Sequence, residues 1–154
     1  MVLTTTILVV EDERLLREMI AEGLRRRGYE VLLAGDGHEA ARICSERHKH
    51  IHLMLCDVMM PGLRPRELIR IVLEIFPSMI VLLMTGYPEE NLYPNGNSEG
   101  FHFIQKPFTP SELARRLEAI LGNMRHDKAR FPYSRVASNR VMGSINTGSV
   151  RRRN

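Results

Sequence analysis

Cysteine is scarce in this chain. Cys44 and Cys56 are its only two, too few for the disulfide framework that staples small secreted domains. Cys56 lies inside an apolar run, where a buried, reduced thiol is the expectation. The stretch Met1 to Val10 has no basic region before its apolar residues and no small-residue cleavage site, which excludes an ordinary signal peptide. No apolar run approaches the length that spans a bilayer, and no internal repeat is visible. These absences leave a single cytoplasmic domain with a tail.

What is present fits that frame. A chain of 154 residues, 44% hydrophobic and 26% charged, is long enough to bury one good core. The net charge of +4 is unevenly placed. From Asn123 onward eight basic residues stand against the single acid Asp127, so the tail carries +7 and residues 1–122 carry −3. The tail has scattered apolar residues, Gly and Ser without period, and is expected to be disordered. The domain boundary falls at 1–122, with 123–154 a basic tail.

Short apolar runs alternate with stretches of helical period. Thr6–Val10 (TILVV) reads as a buried strand. Arg14 to Arg27 follows with Leu16, Ile20 and Leu24 four apart on one helical face, and Gly28 ends it. Tyr29–Ala34 is a second strand, and Asp36 caps a helix from Gly37 to Arg47 with Ala40 and Cys44 inward. Leu53–Cys56 leads directly into Asp57. Pro65 to Phe76 is a helix with Leu68, Ile71, Val72 and Ile75 on one face, stopped by Pro77. Ile80–Met84 ends at Thr85, and Phe101–Ile104 is a fifth strand. Thr109, Pro110 and Glu112 form a capping box for the last helix, in which Leu113, Leu117, Ile120 and Leu121 face the core. The text from Tyr87 to Gly100 has two prolines, three asparagines and two glycines, so the fourth helix is expected to be short or irregular. Five strands alternating with helices imply an α/β fold with a parallel sheet covered on both faces.

Function in such a sheet collects beyond the carboxyl ends of the strands. There the first strand ends in Glu11 and Asp12, the third in Asp57 and the fourth in Thr85, while Lys106 follows the fifth. Taken singly, Asp57 is a loop-starting cap, Glu11-Asp12-Glu13 a solvated run at a helix N-terminus, Thr85 a β-branched strand residue and Lys106 a surface lysine. Their conjunction at four strand ends points elsewhere. Three carboxylates repel unless a cation joins them, and Mg²⁺ suits one or two carboxylates with water and phosphate. Asp57 can then act as a nucleophile toward phosphorus, with Lys106 and Mg²⁺ neutralising charge and the Thr85 hydroxyl bonding a phosphate oxygen. The small Gly86 leaves room for that approach.

At these residues the chain resembles the receiver domain of two-component response regulators, over roughly Thr5 to Gly122. ILVVEDE, GYEVLLAGDGHEA, LMLCDVMMPG, VLLMTGY and FIQKPF carry the resemblance. It implies a flavodoxin-like doubly wound fold, strand order 2-1-3-4-5, and a phosphoprotein that takes a phosphoryl group on Asp57 from a sensor histidine kinase or histidine phosphotransfer protein. It further implies Mg²⁺ held by Glu11, Asp12, Asp57 and the Met59 backbone carbonyl, Lys106 pairing with the phosphate, a cis Lys106–Pro107 bond, and Thr85 with Phe103 as the switch pair that remodels a surface for an unidentified downstream protein. The chemistry is self-phosphorylation and slow self-dephosphorylation rather than enzymatic turnover. The slowness follows from Met59 and Tyr87, bulky residues beside the expected path of an attacking water. In one departure, Leu63-Arg64-Pro65-Arg66 stands where the family has an Asp-Gly pair after MMPG, which stiffens the loop and removes a glycine suited to left-handed backbone. With only residues 123–154 remaining, no DNA-binding or catalytic output domain is expected.

Two rival readings come from other classes. An Mg-dependent phosphohydrolase with an aspartate nucleophile requires a second Asp two residues on, where this chain has Met59. A nucleic-acid binder would use Arg151, Arg152 and Arg153 with their neighbours, but only Phe131 and Tyr133 offer stacking in the tail.

Overall fold

The computed structural model describes residues 4–47, 49–88 and 100–126. Five strands, β1 (Thr6–Val10), β2 (Glu30–Ala34), β3 (Leu53–Asp57), β4 (Ile80–Thr85) and β5 (His102–Gln105), form one sheet of order β2-β1-β3-β4-β5. Every pairing is parallel. Helices α1 (Arg14–Arg25), α2 (Gly37–Glu46), α3 (Pro65–Ile75) and α4 (Pro110–His126) complete the described elements. The segment expected to hold a short or irregular helix falls mainly on residues 89–99, outside the described residues, as does the tail beyond 126.

Strands β1, β3 and β4 are buried along their whole length, because helices cover both faces of the sheet. One core layer joins Leu8, Val10, Met54, Cys56, Val81, Leu83 and Phe103 to Cys44 of α2 and Leu68 and Val72 of α3. The other joins Ile7, Val9, Leu53, Leu55, Leu82 and Met84 to Ile20 and Leu24 of α1 and Leu113 and Leu117 of α4. Alternate residues of each strand thus serve opposite layers, which is why the strands read as unbroken apolar runs. Within them both thiols are buried and pushed up by desolvation, Cys44 to about 11 and Cys56 to about 12. Neither ionises at neutral pH, which makes them packing residues.

The helix ends follow the local chemistry. After α1 the Gly28 amide donates to Arg25 O and the Tyr29 amide to Leu24 O, with Gly28 at φ 87°. These two bonds close the helix around a left-handed glycine. The Asp36 side chain accepts from the Glu39 amide at 2.8 Å. Thr109 and Glu112 exchange both bonds of the capping box, at 2.6 and 3.1 Å.

Three expectations need correction. The inward face of α3 runs through Leu68, Ile69, Val72 and Phe76, while Ile75 is 38% exposed; the helix is turned so that Phe76, just past its end, fills the layer. Strand β5 begins one residue later than expected, its register set by pairing from Leu82↔His102 to Thr85↔Gln105. Helix α4 continues through Gly122 to His126, past the boundary suggested by the sequence.

At the amino-terminal edge of the sheet, the Thr6 amide donates to His52 Nδ1 at 3.0 Å. That bond requires an unprotonated Nδ1. Burial, then the neighbouring His50, lower the His52 pKa from its ordinary 6.5, against Glu30. The unfolded chain therefore binds this proton more readily, and stability falls as pH drops from above 6.5 through the folded-state value. His52→Asn keeps an acceptor without a titrating ring. Thermal melts between pH 7.5 and 5.5 should show a shallower acid loss in that variant; equal slopes would remove His52 from the explanation.

Candidate functional site

The parallel register delivers the strand ends to one rim. β1 runs out at Val10 opposite Ala34 and Cys56, so Glu11 and Asp12 follow immediately beyond it. Asp57 pairs with Met84 and Thr85 with Gln105, which sets Lys106 one residue beyond the sheet. The Lys106 amide donates to Thr85 O at 2.7 Å, tying the last two positions together. The Lys106–Pro107 bond is cis.

Within this rim Lys106 Nζ donates to Glu11 Oε2 and to Asp57 Oδ2, each at 2.9 Å. Glu11 is 1% exposed and Asp57 5% exposed, so the ammonium is their counter-charge at the bottom of the cleft. Asp57 Oδ1 accepts from the Met59 amide at 2.9 Å, and Glu11 Oε1 from the Glu13 amide at 3.1 Å. Burial pushes the Glu11 carboxyl up from its usual value, with Lys106 and the Glu13 amide opposing. For Lys106, burial acts downward, but the bonds to Asp57 and Glu11 outweigh it and hold the ammonium above the ordinary lysine value.

Glu11, Asp12 and Asp57 each offer a carboxylate oxygen within 4.8 Å of the others, the only such acidic or metal-ligating trio among the described residues. Asp12 is exposed while its two partners are buried. When all three are ionised, one ammonium leaves two negative charges unbalanced. An all-oxygen donor set with that deficit, open on the Asp12 side, suits a small hard dication.

Thr85 is 1% exposed, and its hydroxyl is engaged with the following turn: it accepts from the Tyr87 amide at 3.0 Å and lies 3.2 Å from Tyr87 O. Phe103 is buried among the apolar residues of the α2–α3 layer. A side chain at Gly86 would meet no described atom within 4 Å. Met59 and Tyr87, two residues beyond Asp57 and Thr85, are exposed, at 66% and 54%. Sequence reasoning missed Arg17. Its guanidinium Nη1 donates to Glu11 O at 2.6 Å and lies 3.4 Å from Asp12 O.

A model of the response regulator receiver domain matches residues 7–118. The chain belongs to that family. The receiver is 38% identical over 119 residues to the phosphate regulon transcriptional regulatory protein PhoB of Pseudomonas aeruginosa, covering 75% of this chain and 51% of that one. It is 31% identical over 119 residues to the sensor kinase CckA of Brucella abortus, 77% of this chain and 13% of that kinase. The chain thus spans about half the length of PhoB and of the probable transcriptional regulatory protein TcrX of Mycobacterium tuberculosis. Among solved structures it resembles the receiver domain of the hybrid histidine kinase CckA, at 36% identity and TM-score 0.64 over 75% of this chain and 98% of that one. The chemotaxis response regulator CheY4 of Vibrio cholerae is similar at 26% identity and TM-score 0.68, over 77% and 99%. Phosphorelay through an aspartyl phosphate follows from the family. No helix among the described residues is long and apolar enough to cross a membrane.

Proposed function

We propose that the chain is a cytoplasmic switch that accepts a phosphoryl group on Asp57 from a sensor histidine kinase or a histidine phosphotransfer protein. The observation that carries this reading is the Lys106 ammonium at 2.9 Å from both Glu11 Oε2 and Asp57 Oδ2, beside the Glu11, Asp12 and Asp57 trio of carboxylates. An Asp57 carboxylate oxygen attacks phosphorus, the P–N bond of the donor histidine breaks, and the imidazole leaves with that electron pair. Lys106 then exchanges its bond to the carboxylate for one to a phosphoryl oxygen. Glu11, Asp12, Asp57 and the Met59 carbonyl would hold Mg²⁺, which supplies positive charge to the phosphoryl oxygens. Met59 and Tyr87 stand on the approach to the new acyl phosphate and slow its hydrolysis.

The test is intact-mass spectrometry with a small phosphodonor. With Mg²⁺ the chain should gain one phosphate and stop; with chelator it should gain none. Continuous phosphate release would favour the hydrolase reading, and label on a serine would end this one.

The outgoing signal runs through Thr85. A phosphoryl group carries about −1.5 to −2 charges, enough to draw the Thr85 hydroxyl away from Tyr87. The Tyr87 turn is then released and Phe103 can move toward the space behind the strand. Hydrogen exchange with beryllofluoride should show altered protection across residues 86–106. A change confined to the loops around Asp12 and Asp57 would mean the signal leaves by another route.

A further inference from the structure

The loop that carries Glu11 and Asp12 has a fastening of its own. Arg17 closes the first turn of α1 and folds back onto that loop, donating from Nη1 to Glu11 O at 2.6 Å, with Asp12 O at 3.4 Å. The guanidinium occupies a recess whose other wall is Gly35, at the carboxyl end of β2. A Cβ at Gly35 would lie 3.4 Å from Arg17 Nη1 and 3.5 Å from Glu39 Oε2. Glu39 in turn holds the Gly35 amide at 2.7 Å. Gly35 does not need left-handed backbone, and the guanidinium lies against it at van der Waals distance.

We infer that Arg17 is the positioning residue of the metal site: by pinning the Glu11 and Asp12 carbonyls, it presets those two carboxylates for a divalent cation. This deepens the Mg²⁺ reading above and rests on it. A purely electrostatic role makes the opposite demand. A guanidinium beside the carboxylates repels an incoming dication, so its removal would tighten metal binding. Preorganisation requires that removal weaken binding, because the free loop then has to be ordered when the ion arrives. The sign of the change separates the two.

The experiment is a calorimetric titration of the full chain with Mg²⁺ alone, without phosphodonor, paired with thermal melts in chelator. Arg17→Met keeps the apolar stem and removes the donors; its Kd for Mg²⁺ should rise about tenfold, the scale of one charge-assisted hydrogen bond. Arg17→Lys should recover part of the loss, because an ammonium can reach one carbonyl. Unchanged or tighter Mg²⁺ binding in a folded Arg17→Met chain would overturn the inference. Should that variant not fold in chelator, wild-type affinity in a folded Arg17→Gln chain would overturn it. Absence of Mg²⁺ binding in the wild type and in Asp12→Asn alike would instead strike the metal reading itself.

Discussion

Replacing Asp57 with asparagine should abolish phosphate incorporation completely, leaving the intact mass unchanged after incubation with Mg²⁺ and a small phosphodonor. The amide has nearly the size of the carboxylate, and its oxygen can still accept the Met59 amide that Asp57 Oδ1 now accepts at 2.9 Å. The fold should therefore survive. What is lost is the anionic oxygen that attacks phosphorus, and no neighbour replaces it. Glu11 is as buried, but burial pushes its carboxyl up and Lys106 holds it. Far-ultraviolet circular dichroism establishes folding, and mass spectrometry reads the label. Full labelling of the folded Asp57→Asn chain would remove Asp57 from the mechanism.

Lys106→Ala should be the most destabilising polar substitution in the site. It leaves Glu11 and Asp57, 1% and 5% exposed, without a cation between them. Breaking a buried pair this way costs about 3–5 kcal/mol; with Lys106 25% exposed, we expect about 2–3 kcal/mol at neutral pH. The pH dependence has a definite sign. The Glu11 carboxyl is raised in the fold, so its protonated form is favoured and its contribution is lost as pH rises through the folded-state value. Wild type and variant should therefore be similar near pH 4 and separate toward pH 7. Lys106 is raised above its ordinary 10.5, so the wild-type advantage should vanish again only above that pH. Urea unfolding across this range checks it. Mg²⁺ should stabilise the variant more than the wild type, because it replaces the missing charge. Equal stability at pH 7 in the absence of Mg²⁺ would contradict the ion-bridge argument.

Much of this was legible before any coordinates, for identifiable reasons. Glycine at 28, Asp36 and the Thr109–Glu112 box act within one helical turn, so their spacing alone announces them. The four strand ends could be read because apolar runs with polar residues at their close admit few placements in a parallel sheet. The α3 face was misread because Ile69, Ile71 and Ile75 all suit a helix, and only the packed layer chooses among them. Lys106 bridging two carboxylates, Thr85 turned toward Tyr87 and Arg17 folded onto its own loop were beyond the sequence. Each depends on which of several staggered side-chain conformations the surroundings allow.

The ion pair of Lys106 with Glu11 joins residues 95 apart in sequence, and the neighbouring strands β1 and β2, β1 and β3, and β3 and β4 are each separated by at least one intervening helix. Lys106 can meet Glu11 and Asp57 only once the strands between them have been brought together. Contacts so distant form late, after the loops between them have been closed. A copy truncated before Lys106 thus has Asp57 without its counter-ion. On the proposed function, the ability to take phosphate doubles as a certificate of complete folding, and such a truncated copy should gain no phosphate in the intact-mass assay.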